Sequence, residues 1–254
     1  MAAVELEVHG DVAEIVLNRP DKKNALRDED WLLLRDVVGQ AERSPARCVL
    51  FRGAGDSFCA GWDLSQADAA QVDARKTVGE IVNPALVAIR NLRLPTIAAA
   101  SGACVGGGLG IAMACDVVLA AEDARFGSPF RNIGILLDSG GHHFLRERLG
   151  HYKASQLIYT GKLIDGREAH RIGLVCEVYP AARLLDEARA MAAGIAGGPT
   201  AAFVLSKKIM MSGADYKETL ALEADGQAEI FATQDAAEGL RAFREKRKPT
   251  FIGR

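Results

Sequence analysis

SGACVGGGLGIAMACD, Ser101 to Asp116, carries three successive glycines between two runs of small apolar residues. Together with the preceding TIAAA it reads as a buried strand that opens, through Gly106-Gly107-Gly108, onto a small-residue helix, LGIAMAC. The first N–H groups of a helix have no acceptor inside it, so this junction presents several free donors to an anion or a polarised oxygen. Two nucleotide readings are disfavoured. The glycines do not end in the Lys-Ser/Thr pair of a P-loop, and their spacing does not fit the dinucleotide fingerprint with its later acidic residue.

Outward from this junction the pattern repeats. DVVLAAE reads as a second buried strand after it, and CVLFRG as another before it, preceded by a helical pattern from Asp28 to Arg43. VELEVHGDVAEIVLN alternates apolar and polar positions on both sides of His9-Gly10-Asp11, as a hairpin does. The alanine-rich stretch up to Ala74 reads as a loop or short helix, followed by a helix to about Leu92 that Leu94-Pro95 stops. From Gly140 the pattern is almost wholly helical. LVCEVY is its one clear strand, and Gly197-Gly198-Pro199 separates a helical tail whose apolar residues, Leu240 and Phe243 among them, exceed what one compact core covers. Strand-then-helix order of this kind implies an α/β core.

The 254 residues, nearly half apolar, suffice for one substantial core. A formal charge of −2 with mixed signs gives no footprint for nucleic acid or an anionic membrane, and no apolar run reaches membrane-spanning length, so the chain reads as cytoplasmic. Five scattered cysteines in apolar settings, without C-x-x-C or clustered histidine, read as buried free thiols rather than a metal site.

A second segment, SFCAGWDL, Ser57 to Leu64, places small residues before a bulky aromatic, which lets a ligand approach the backbone. With GGGLGIAMACD, NRPDKKNAL, ARFGSPFRNIGILLDSGG, TGKLIDGREAHRIGLV and FREKRKPTFIGR, it gives the chain a close resemblance to the crotonase, or enoyl-CoA hydratase/isomerase, superfamily. The resemblance implies an α/β fold: a spiral of ββα turns over 1–198 with a helical C-terminal trimerisation region over 199–254, assembled as trimers or dimers of trimers. It implies an acyl-CoA substrate of lipid metabolism and no cofactor beyond the coenzyme A moiety. The oxyanion hole then falls on the N–H groups of Trp62 and Gly107, with Lys23, Ala25, Leu26, Ala60, Asp63 and Leu64 near the coenzyme; Lys22 could serve as well as Lys23, and the plain reading of either is a solvated surface lysine. Lys248 and Phe251 are candidates to reach coenzyme A bound by a neighbour, against the plain reading of a solvated tail. Two preorganised donors stabilise the charge that a thioester oxygen gains on becoming an enolate.

The hydratases of this family use two glutamates, and the matching positions here hold Gly110 and Phe130, which cannot accept a proton. Asp138, in IGILLDSGG, stands where several non-hydratase relatives carry a catalytic aspartate. Its apolar neighbours would raise its pKa. The competing reading is that Asp138 or Ser139 merely caps the helix that follows. These features favour an enoyl-CoA isomerase with Asp138 as proton shuttle. The alternatives are a ring-opening isomerase of the epoxyphenylacetyl-CoA type and a non-catalytic acyl-CoA binder. A dehalogenase is disfavoured because residues 54–105 contain no histidine, and His142 and His143 read as structural.

Overall fold

The computed structural model describes residues 2–66 and 73–254. Six strands, β1 (Val4–His9), β2 (Val12–Leu17), β3 (Cys48–Gly53), β4 (Thr96–Ala100), β6 (Val117–Ala121) and β9 (Glu177–Tyr179), form a sheet in the order β1-β2-β3-β4-β6-β9. The hairpin pairs antiparallel, Val4 opposite Leu17, and every later neighbour is parallel. Parallel strands need crossovers and are covered on both faces, which is why β4 and most of β2 and β6 are buried without a break, β2 despite the polar Glu14 in its alternating sequence. A second sheet, β5 (Ala103–Val105), β7 (Arg125–Gly127) and β8 (Ile164–Asp165), is built from strands of two or three residues.

α1 (Asp28–Arg43) packs on β1 and β2, and α7 (Ala181–Ala196) on β3, β4 and β6. Between the layers, Glu14 of β2 is buried and accepts hydrogen bonds from Arg52 and Arg189, each at 2.6 Å. Burial alone would raise its pKa, but the two guanidinium groups outweigh it and hold the carboxyl below its ordinary value. α2 (Ala74–Lys76) runs through a π-helical stretch, 77–82, into α3 (Asn83–Arg90). α4 (Gly107–Ala114) is entirely buried, α5 (Gly141–Thr160) is kinked at Gly150, and α6 (Gly166–Arg171) follows β8.

Three helices close the chain: α8 (Thr200–Met211), α9 (Tyr216–Phe231) and α10 (Gln234–Glu245). Lys207 of α8 is buried, with its Nζ 2.8 Å from the Asp116 carboxylate and donating to the Leu94 carbonyl at 3.1 Å. That pins α8 to the N-terminal ends of β4 and β6. α9 buries no residue, and Met210, Phe231, Leu240 and Phe243 are exposed, as the apolar excess in the tail predicts. The last residues fold back onto α10, where Asp235 accepts from the N–H groups of Ile252 and Gly253, and Phe251 lies against Gly239. Among the described residues no single helix is long and apolar enough to cross a membrane.

The hairpin, α1, β3, β4 and β6 fall where the sequence places them. LVCEVY is only partly a strand: Glu177–Tyr179 pairs with β6, while Leu174 and Val175 are buried ahead of it. β5, β7 and β8 escape the reading because two or three residues are too few to show alternation. The helix expected to reach Leu92 ends at Arg90. Four cysteines are buried, but Cys176 is exposed, because it precedes the edge strand β9. Most of the loop predicted before Ala74 lies outside the described residues.

Candidate active site

The loop 54–64 is threaded between two other segments. On one side it pairs with β5 and the turn before it: the Phe58 and Cys59 N–H groups donate to Ser101 and Ala103 carbonyls, and Val105 N–H donates to Cys59 O. On the other side Asn24, fully buried in a left-handed conformation (φ 56°), accepts from Arg19 N–H and donates from its amide to the carbonyls of Ala54 and Ser57. Asn tolerates positive φ better than most residues and can satisfy several backbone groups at once. Asn24 lies within NRPDKKNAL, where the sequence alone does not distinguish it from an ordinary turn residue. The one signal available is that an asparagine among turn-forming residues is a candidate for such a hub.

Leu26 then fixes the next step. Its N–H donates to Gly61 O at 2.8 Å and its carbonyl accepts from Asp63 N–H at 2.9 Å. In such a parallel bridge the residue between, Trp62, turns its own N–H to the opposite side. That N–H has no acceptor among the described residues. Gly61 (φ 91°) lies against the start of α4, and a Cβ on it would stand 2.8 Å from Gly107 N. Gly107, the first residue of α4, has no acceptor for its N–H within the helix. Beneath it, the Trp31 ring would meet a Gly107 Cβ at 2.8 Å. The structure thus brings the Trp62 and Gly107 segments into contact across 45 residues of sequence, on a floor of buried tryptophan that the sequence did not reveal. Trp62 itself is half-buried, its indole N–H donating to Asp28 at 2.9 Å.

Around this pair the proposed coenzyme residues divide. Lys23 and Leu64 are exposed and Ala60 is half-buried, whereas Ala25 is buried and Leu26 fully so, with its backbone committed to the loop. Asp63 is also committed: it accepts from Ser65 N–H and from Arg19 at 3.0 Å, and those contacts hold its carboxyl below the usual range. Leu26 and Asp63 therefore act on the loop's shape.

Gly110, one helical turn into α4, faces the Asp138 loop. A Cβ there would stand 2.6 Å from both Cβ and O of Ser139, so no side chain fits without moving that loop. Phe130, on the segment after β7, rests its ring against Gly106, 3.2 Å from where a Cβ would be. Asp138 is partly buried, and burial raises its carboxyl pKa; hydrogen bonding from Ser139 and the nearby His142 oppose the shift without cancelling it. The capping alternative fails. The N-cap of α5 is Gly140, which no side chain caps, and only the main-chain carbonyl of Asp138 takes part, accepting from Gly141 N–H at 2.9 Å. His143 is exposed beside Glu147.

The Enoyl-CoA hydratase/isomerase family profile matches residues 7–254. The chain belongs to the enoyl-CoA hydratase/isomerase family. It is 36% identical over 253 residues to the crotonyl-CoA hydratase of Syntrophomonas wolfei, covering 98% of this chain and 97% of that protein. It is 32% identical over 250 residues to the 1,2-epoxyphenylacetyl-CoA isomerase of Escherichia coli, covering 96% and 95%. The crystal structure of an enoyl-CoA hydratase from Bacillus anthracis superimposes with a TM-score of 0.92 at 32% identity, covering 99% of this chain and 100% of that one. The crotonase-type α/β fold expected from the sequence is therefore the fold of this family member.

Proposed function

We propose that this family member is an enoyl-CoA isomerase that moves a double bond through a thioester enolate, with Asp138 as its proton shuttle. The observation that carries the reading is the exchange at Gly110: Ser139 fills the space a hydratase glutamate would need, and Asp138, the residue before it, is a half-buried carboxyl with a raised pKa. In this scheme the acyl carbonyl oxygen accepts from the N–H groups of Trp62 and Gly107. Asp138 removes a proton from C2 of a 3-enoyl-CoA, the electron pair spreads as a dienolate onto the thioester oxygen through C1 and onto C4 through C3, and the Asp138 carboxyl, whose proton can exchange with solvent, protonates C4 to leave a 2-enoyl-CoA. One carboxyl suffices for this, whereas adding water needs a second group to position and activate it.

No metal or redox group is required. Coenzyme A would lie along Lys23, Ala25, Ala60 and Leu64, with Leu26 and Asp63 shaping the loop. Exposed Phe231, Leu240 and Phe243 support assembly into trimers or dimers of trimers. Adding a 3-enoyl-CoA should raise ultraviolet absorbance as the double bond enters conjugation with the thioester; no turnover across several chain lengths refutes the reading. A second reading, ring-opening of an epoxide-bearing acyl-CoA, draws support from the E. coli isomerase. Turnover of such a substrate in place of 3-enoyl esters would establish it. Rapid hydration of crotonyl-CoA would instead align the protein with its hydratase relative.

A further inference from the structure

We propose that Ser139 is a positioning residue for the proton shuttle, holding the Asp138 carboxylate by a hydrogen bond while Gly110 holds Ser139. The proposal rests on the reading of Asp138 as the base. Ser139 Oγ donates to Asp138 Oδ1 at 2.8 Å, and it is the one side-chain donor to that carboxylate among the described residues. Ser139 is 4% exposed although it sits in a loop, and its φ is 53°, a conformation that non-glycine residues rarely adopt. Chain geometry alone does not call for serine there, because Gly140 follows at φ 76° and glycine would suit both positions.

What keeps Ser139 in place is contact. Its Cβ and carbonyl occupy the space that a side chain at residue 110 would fill. On the other flank Leu137 is buried and packs against Gly141, where a Cβ would stand 2.7 Å from the leucine. Asp138 is therefore bracketed by two buried residues and cannot swing without dislodging one of them. The hydroxyl, bonded to Oδ1, then selects one carboxylate orientation for taking and returning a proton. Two further groups act in the same sense, the main-chain N–H of Asp138 itself and His142 on α5. Strained loop residues persist where surrounding contacts over-determine them, and such positions concentrate at functional sites.

Two variants separate the hydroxyl from the backbone. S139A removes the hydroxyl and keeps a Cβ; S139G removes the hydroxyl and relieves the left-handed conformation. The readouts are the pH dependence of deuterium uptake at C2 of a 3-enoyl-CoA and carbon-13 titration of the Asp138 carboxyl. A hydrogen bond to the ionised form lowers a pKa, so its loss moves the acid limb and the titration midpoint upward by about 1 pH unit. In both variants kcat at the plateau falls by roughly tenfold, because the base is no longer aimed, while KM stays near wild type. If S139A does not fold, S139G alone decides. Wild-type limb, midpoint and plateau in S139G overturn the proposal, since only backbone shape would then matter. Should D138N retain full exchange, the shuttle reading itself falls; an inactive D138N beside a wild-type-like S139G defeats the Ser139 proposal only.

Discussion

The cradle at Trp62 and Gly107 offers main-chain N–H groups, whereas the wall packed on Gly110 carries a side chain, Asp138, on a short irregular segment. The cradle is fixed by buried contacts: Asn24 under the loop, Leu26 beside it, Trp31 below Gly107. The wall is held by one hydroxyl, the packing of Ser139 on Gly110 and that of Leu137 on Gly141. In a site of this kind the part that stabilises the oxyanion can stay constant while the part that moves protons is exchanged. On the proposed reading residues 110 and 130 mark that exchange, since neither can act as a base.

The comparison breaks first at the cradle. G61A forces a Cβ to 2.8 Å from Gly107 N in a left-handed conformation, and misplacing an oxyanion donor should lower kcat by about 10²–10³-fold; steady-state kinetics at saturating substrate check this. On the wall, G110A pushes Ser139 outward and overpacks a buried contact, which should cost roughly 1–3 kcal/mol in denaturant unfolding. It should also reduce proton exchange while leaving acyl-CoA affinity close to wild type. N24A leaves the Ala54 and Ser57 carbonyls without their side-chain donor, for an expected loss of about 1–3 kcal/mol. Unlike G110A, it should weaken substrate binding, measurable by calorimetry, because it loosens the loop that carries Trp62.

The smallest effect has the opposite sign. Because burial raises the Asp138 pKa, ionising that carboxyl costs more in the folded state than in the unfolded chain. Its neutral form therefore favours folding at low pH, and this advantage is lost as pH rises from the ordinary carboxylate range through the raised value. D138N should melt slightly above wild type at neutral pH, with the gain disappearing in acid.

Sequence legibility follows the same division. Elements with long apolar runs or full amphipathic turns, β3, β4, β6 and α1, could be read directly, and the glycines of Gly106–Gly108 stood out by composition, whereas the Gly61–Trp62 segment was legible only through the family resemblance. The two or three residues of β5, β7 and β8 carry no period, yet β5 is what the Ser57–Leu64 loop pairs with. Asp138 was recognisable as a candidate, but its freedom from capping duty depends on Gly140 taking the N-cap, and its orientation on Ser139 at a φ that no sequence pattern displays. Asn24 and Trp31 look in the sequence like an ordinary turn residue and an ordinary core residue. Their roles exist only once segments far apart in the chain are stacked.

The most direct test of the central claim is deuterium exchange at C2 and C4 of a 3-enoyl-CoA in deuterated buffer, wild type against D138N. Label at both carbons in the wild type, lost by about 10²-fold or more in a D138N protein that still binds the ester, is the predicted result. Undiminished exchange in D138N, or none in a wild type that binds the ester, would contradict it.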